Sequence, residues 1–127
     1  MEEIIERIMR GEIKDEEVLE IYKEYLKVKD EVSYLEDLLD DLELLCRRFE
    51  EIKDSVKGLK YLIPKVSKYL NCKESVEETL RVLDNFEKLD LNHYYEVRAR
   101  YFNELETLKK KLNQLEKKLK EAVDGRE

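Results

Sequence analysis

Few side chains in this sequence could do chemistry, and they are scattered. The metal-ligating candidates are Cys46, Cys72 and the single histidine, His93. None of them falls in the CxxC or HxxxH spacing that puts two ligands on one turn or helix face for a closed tetrahedral site. Glu36, Asp37, Asp40 and Asp41 are dense on one stretch, but no Glu-x-x-His pair accompanies them, so a solvated acidic face is expected rather than a carboxylate metal site. Nucleophilic catalysis needs a Ser or Cys activated by a base that a third group orients. His93 sits instead among Leu91, Asn92, Tyr94 and Tyr95, the setting of a structural histidine. Three glycines are too few for a phosphate-cradling loop. The expectation is a protein without catalytic, metal or cofactor residues and without a small-molecule substrate.

Two clusters carry positive charge that a partner could read. Tyr94, Tyr95, Arg98, Arg100, Tyr101 and Phe102 combine aromatic rings with guanidinium groups, the chemistry of base stacking with phosphate contacts. At helical spacing Tyr94, Arg98 and Tyr101 share one face, which favours a packed aromatic layer over a binding platform. The second cluster is a basic corner of Arg47, Arg48, Lys57, Lys60, Lys65 and Lys68, with Lys53 and Lys73 nearby. Its local excess of positive charge could meet phosphates or an acidic partner. The net charge of −7 opposes non-specific duplex binding by the whole molecule.

Leu42, Leu44, Leu45, Arg48, Val56 and Lys60 resemble part of the first-helix pattern of all-helical chorismate mutases. The Arg48 to Lys60 spacing is longer than in that family, and an upstream position that carries arginine there is acidic here. The resemblance therefore implies no mutase activity.

The elements that hold these residues are legible from apolar spacing. Val18, Ile21, Tyr25, Val28, Val32, Leu35, Leu39, Leu42, Cys46, Phe49 and Val56, with Lys53 as the one polar member, recur alternately three and four residues apart. Such a stripe, sustained over five heptads, predicts a long helix packed as a coiled coil. Asp15 is its expected N-cap, with Glu16 and Glu17 near the positive end of the helix dipole. The helix is predicted over about 15–57, roughly 65 Å long at 1.5 Å per residue. Gly58 and Pro64 are read as ending it, with a corner helix over about 59–70 that closes at Asn71. Upstream, residues 2–10 form a short amphipathic helix that presents Ile4, Ile5, Ile8 and Met9 and stops at Gly11.

In the second half, Ser75 and Glu78 are spaced as a capping box. A helix over about 76–123 follows, with a second seam through Leu91, Tyr94, Arg98, Tyr101, Leu105, Leu108, Leu112, Leu115, Leu119 and Ala122. Its phase slips near Asp90 to Asn92, so the chain either stutters there or reverses. The simplest fold is a single all-α domain over 1–127, a long antiparallel coiled-coil helical hairpin, with a compact bundle as the outcome of a reversal. Residues 1–45 hold 16 acidic and 6 basic side chains, and 105–127 hold 5 acidic and 7 basic ones, so the acidic start is expected against the basic end. In that register Arg98 meets Glu36, Asp37 and Asp40 as a register pair, and Glu87 meets Arg47 and Lys53.

Leu38, Leu45 and Ile52 flank the seam, as do Leu19 and Leu26. The apolar face is thus wider than a two-helix contact can cover, and a helical bundle on oligomerisation is expected. These residues, together with Tyr61, Leu62, Ile63, Val66 and Tyr69 at the corner, are the expected partner-binding elements. The expected function is a non-catalytic protein–protein interaction or assembly module, either a homodimer or a subunit bound to another protein. The alternative is a small accessory subunit of a nucleic-acid complex that uses the basic corner. No apolar run approaches the length of a membrane span, and the N-terminal residues are acidic and amphipathic, unlike a signal peptide. A cytoplasmic protein with two packed thiols is expected. Abundant Lys and Glu with one Gln and no Trp agree with a thermophilic source.

Overall fold

The computed structural model describes residues 1–69 and 73–125. Among the described residues four helices make the protein all-α: α1 (Glu2–Met9), α2 (Glu16–Ser67), α3 (Lys73–Glu87) and α4 (Asn92–Asp124). The chain divides into two compact units, unit 1 from Met1–Leu39 with Ala99–Glu127 and unit 2 from Asp40–Arg98. Among the described residues no helix is long and apolar enough to cross a membrane.

Unit 1 holds the densely packed core. Every seam residue of α2 from Val18 to Leu39 is buried or half-buried, as is every seam residue of α4 from Tyr101 to Ala122. They meet in two clusters, one around Tyr25, Val28, Val32, Leu35, Leu105 and Leu115, the other around Ile8, Val18, Leu119 and Val123. Val18 and Leu119 have no exposed surface. Full burial of side chains this size is worth about 1.5–3 kcal/mol each. Helix α1 closes the second cluster with Ile8, while Ile4 and Ile5 pack alongside these cores. Met9, expected on the same face, is exposed. Gly11 ends α1 with φ +76°, a backbone conformation that costs glycine no Cβ clash. There the Gly11 N–H donates to the Ile8 carbonyl and the Glu12 N–H to that of Arg7, the double bond of a Schellman stop. Asp15 caps α2 as expected, its Oδ1 accepting from the Glu17 and Val18 amides at 3.0 and 3.3 Å.

The two long helices of unit 1 run antiparallel, with Lys111 on Glu24 at 3.3 Å and Lys109 on Glu36 at 3.7 Å. The acidic start does face the basic end, but in a different register from the one predicted. Glu36 meets not Arg98 but Lys109, eleven residues further along α4, whereas Glu24 meets Lys111. Exposed lysine–carboxylate pairs contribute little to register. The alignment is set instead by the interdigitation of Leu105 and Leu115 with the α2 seam.

In unit 2, α2 continues without a break past Gly58 and Pro64 to Ser67, which corrects the predicted end at 57 and the separate corner helix. An exposed glycine inside a helix costs about 1 kcal/mol relative to alanine, too little to stop a 52-residue helix. Pro64 lies in the last turn, where its missing amide removes one hydrogen bond near an end that frays anyway. The Ser67 hydroxyl donates to the Pro64 carbonyl at 2.8 Å there. The corner thus moves past Ser67. Leu70, Asn71 and Cys72, which the sequence placed at the helix end and among the thiols, lie outside the described residues. Helix α3 starts at Lys73, so Ser75 sits inside its first turn and its carbonyl accepts from Thr79 Oγ1. The expected capping box is not used.

Between α3 and α4 the chain is interrupted and does not reverse. Moving back along α2, Lys60 meets Asp84 and Glu87, Lys53 meets Leu89, and Glu50 meets Tyr95. Chain order along α2 is therefore preserved on both sides of the gap. Asp90 restarts the helix, its Oδ1 accepting from the Asn92 amide at 2.9 Å, an N-cap-type contact at the phase slip.

Candidate interaction surface

Two lysines of the α2 seam supply polar contacts that position the chain in unit 2. Lys53, the one polar residue in the predicted stripe, donates to the Leu89 carbonyl at 2.5 Å. A cation there complements the free carbonyls and negative dipole end that follow α3. One heptad on, Lys60 bridges Asp84 at 2.8 Å and Glu87 at 2.7 Å. Hydrogen bonds to these two carboxylates raise the Lys60 ammonium above the usual lysine range. The same bond from Lys60, with a second from Lys88, holds the Asp84 carboxyl below its ordinary value. Glu87, expected beside Arg47 and Lys53, is thus claimed by Lys60.

Part of the aromatic–basic cluster is engaged within unit 2, while Arg100 and Phe102 are exposed. Tyr95 donates its hydroxyl to the Glu50 carboxylate, which with partial desolvation raises its pKa. The Arg98 guanidinium lies 5.1 Å above the Tyr95 ring, a cation–π contact. Tyr94 packs on Phe49 with ring centroids 5.4 Å apart, the aromatic layer that the spacing favoured. Arg98 is therefore spent on Tyr95, Glu36 on Lys109, and Asp37 and Asp40 are exposed. The proposed register pair is not the contact that aligns the helices. His93 is exposed and edge-on to Tyr94 at 5.8 Å, and Cys46 is a buried free thiol. Among the described residues no group of three or more His, Cys, Asp or Glu is arranged to hold a metal.

The basic corner is partly neutralised. Lys60 is bridged by its two acids, and Arg48 pairs with Glu51 at 3.2 Å. Lys65 donates to the Tyr61 hydroxyl and sits over that ring, while Lys68 lies 5.1 Å over Tyr69. Arg47 and Lys57 are exposed.

What unit 2 leaves open is apolar. Its fully buried hydrophobic residues are Cys46, Val56 and Leu91, and α3 contributes none. Meanwhile Leu45, Ile52, Tyr61, Leu62, Val66 and Tyr69, all predicted as partner-binding, are exposed. Ile63 is half-buried in unit 2. Leu38, also predicted, is half-buried against the first core cluster of unit 1 and is taken up by the chain itself. Leu44, Leu59, Val82 and Leu89 are further exposed apolar side chains of unit 2 that the sequence reading missed. Leu59 was legible in principle, since it continues the seven-residue step from Leu45 and Ile52. Ending the helix at 57 hid it. The result is a strip of exposed apolar residues, with Arg48 and Ser55 between them, on the second half of α2.

Compared with known proteins, the chain is 32% identical over 108 residues to an uncharacterized protein of Methanocaldococcus jannaschii, MJ1021. The match covers 85% of this chain and 66% of that protein, so the chain spans just under two thirds of its relative's length. No family model matches the sequence. No solved structure matches it either.

Proposed function

We propose that the chain is a non-catalytic helical module for protein–protein assembly, with the open face of α2 in unit 2 as its docking surface. One observation carries this reading. Among the described residues, ten of the fourteen large hydrophobic side chains left exposed fall between residues 40 and 98, five of them on α2 between Ile52 and Val66, with Tyr69 just past its end. Scattered exposed leucines are ordinary, but a contiguous exposed apolar strip marks an interaction site. The polar groups beside it favour a protein over a nucleic acid, because Lys60, Arg48, Tyr95 and Arg98 are already committed to partners within unit 2.

Affinity purification under native conditions tests the reading, comparing the wild-type chain with Leu59→Asp, which places a charge on the strip. The expected result is a stoichiometric protein partner, or a second copy, retained by the wild type and lost by the variant. A monomer that retains no protein would refute it. So would RNA binding that falls steeply with salt and disappears when Lys57, Lys65 and Lys68 are neutralised, the signature of phosphate contacts.

A further inference from the structure

The exposed strip on α2 has an internal order that identifies what fits it. Its apolar members on the helix, Leu45, Ile52, Leu59, Leu62 and Val66, are joined by two polar ones, Arg48 and Ser55, and Tyr69 follows in the turn past Ser67. Together they repeat alternately three and four residues apart, the same spacing as the buried seam but turned about one residue around the helix. Both polar members are satisfied within α2, Arg48 by Glu51 and Ser55 by a 3.0 Å bond from its hydroxyl to the Glu51 carbonyl. From Arg48 to Val66 the order of the intervals reads the same from either end. Laid antiparallel on itself about a two-fold axis near residue 57, the helical strip sets Ile52 against Leu62, Leu59 against Ser55 and Arg48 against Val66 of the second copy.

Charge agrees with this arrangement. The positions that flank such a strip are Glu51, Gly58 and Lys65. In the antiparallel pairing Glu51 of one copy faces Lys65 of the other, twice by symmetry, and Gly58 meets Gly58 at the axis. A Cβ at Gly58 has nothing within 4 Å, so the backbone there is open to close approach by another helix. A parallel pairing places Glu51 and Lys65 of the two copies on opposite sides of the strip and forms no such ion pair. Building on the assembly reading, we propose that this face of α2 binds a second copy of the same chain, antiparallel and centred near Gly58.

The strip from Leu45 to Val66 is about 32 Å long on a helix 10–12 Å across. That offers on the order of 500 Å² per copy, less than the roughly 800 Å² per partner of a standard stable interface. The dimer is therefore concentration-dependent, with a dissociation constant in the micromolar range or above.

Sedimentation equilibrium of the full chain, from low micromolar to near-millimolar concentration, tests the pairing. Circular dichroism confirms that each variant is folded, which exposed positions favour. The wild type is expected to dimerise. Leu59→Asp should weaken dimerisation on the order of a hundredfold, since it buries charges at the centre. Glu51→Lys should weaken it roughly tenfold by turning two attractive contacts repulsive, and the double variant Glu51→Lys with Lys65→Glu should restore it. A wild type that stays monomeric overturns the proposal, as does a dimer indifferent to Leu59→Asp or a double swap no better than Glu51→Lys alone. A chain that is monomeric yet loses a native protein partner through Leu59→Asp would overturn the second copy as occupant and leave the assembly reading standing.

Discussion

Gly58→Ala separates two readings of the same residue by the sign of its effect. As a glycine that ends a helix it would hold a positive φ, and an added Cβ would be strained there. In the structure it lies inside α2, is exposed, has no positive φ, and has open space where a Cβ would go. Alanine then removes backbone freedom from the unfolded chain and adds helix propensity without a clash, stabilising by about 0.5–1 kcal/mol. For a chain of this size that raises the Tm by about 2–5 °C. Thermal unfolding followed by circular dichroism, at a concentration low enough to keep the chain monomeric, measures it. Gly11→Ala is the internal control, because φ +76° at Gly11 makes it destabilising by a similar amount. A Tm that falls for Gly58→Ala as it does for Gly11→Ala would refute a continuous α2 and restore a corner at residue 58.

Two further perturbations test the parts that hold each unit together. Leu119→Ala empties a position with no exposed surface beside Val18, and should cost about 2–5 kcal/mol in denaturant unfolding; a loss well under 1 kcal/mol would mean the cluster is not packed as seen. For the bridge in unit 2, Asp84 has a lowered pKa, so its contribution is present above the ordinary carboxylate range and lost as pH falls through the lowered value. Lys60 has a raised pKa, so its contribution is full below the ordinary lysine range and lost as pH rises through the raised value. Lys60→Met should move the Asp84 titration, read by NMR, back toward the usual range, with Lys88 still holding part of the shift. An unmoved Asp84 titration would refute the bridge.

Much of the architecture was legible because apolar spacing is a strong signal over long helices. Each residue predicted on the two seams is buried or half-buried in the structure, including Lys53 and Arg98, and Gly11 and Asp15 punctuate the chain where their chemistry says they should. The differences along α2 share one cause. Gly58 and Pro64 were read as local breakers, but their local cost is small against the cooperative stability of a helix already tens of residues long. Misplacing that end truncated the strip at Ile52 and left Leu59 unread. The register of the helices was misjudged for a different reason. Charge complementarity between an acidic segment and a basic one is satisfied by many alignments, so it predicts which segments meet and not which residues do. Shape complementarity among leucines decides that, and heptad spacing alone does not encode it.

The contrast between the units bears on what the strip is for. In unit 1 the seams close on two apolar clusters, and the flanking Leu38 and Leu19 are drawn into them. In unit 2 the seam carries lysine at 53 and 60, so beside its half-buried Val76, Leu80, Leu83 and Phe86 α3 is fixed by ion pairs, and its end by a lysine-to-carbonyl bond, at partly exposed sites. Such contacts specify position but contribute little net stability. Unit 2 is therefore the part expected to open first, with amides in α3 exchanging faster than those of α4 near Leu115 and Leu119. A partner that buries Leu59 and Val66 would add there the apolar stabilisation that α3 does not supply. Assembly and local stability are then coupled: binding slows exchange in α2 beyond residue 45, and any variant that weakens binding speeds it.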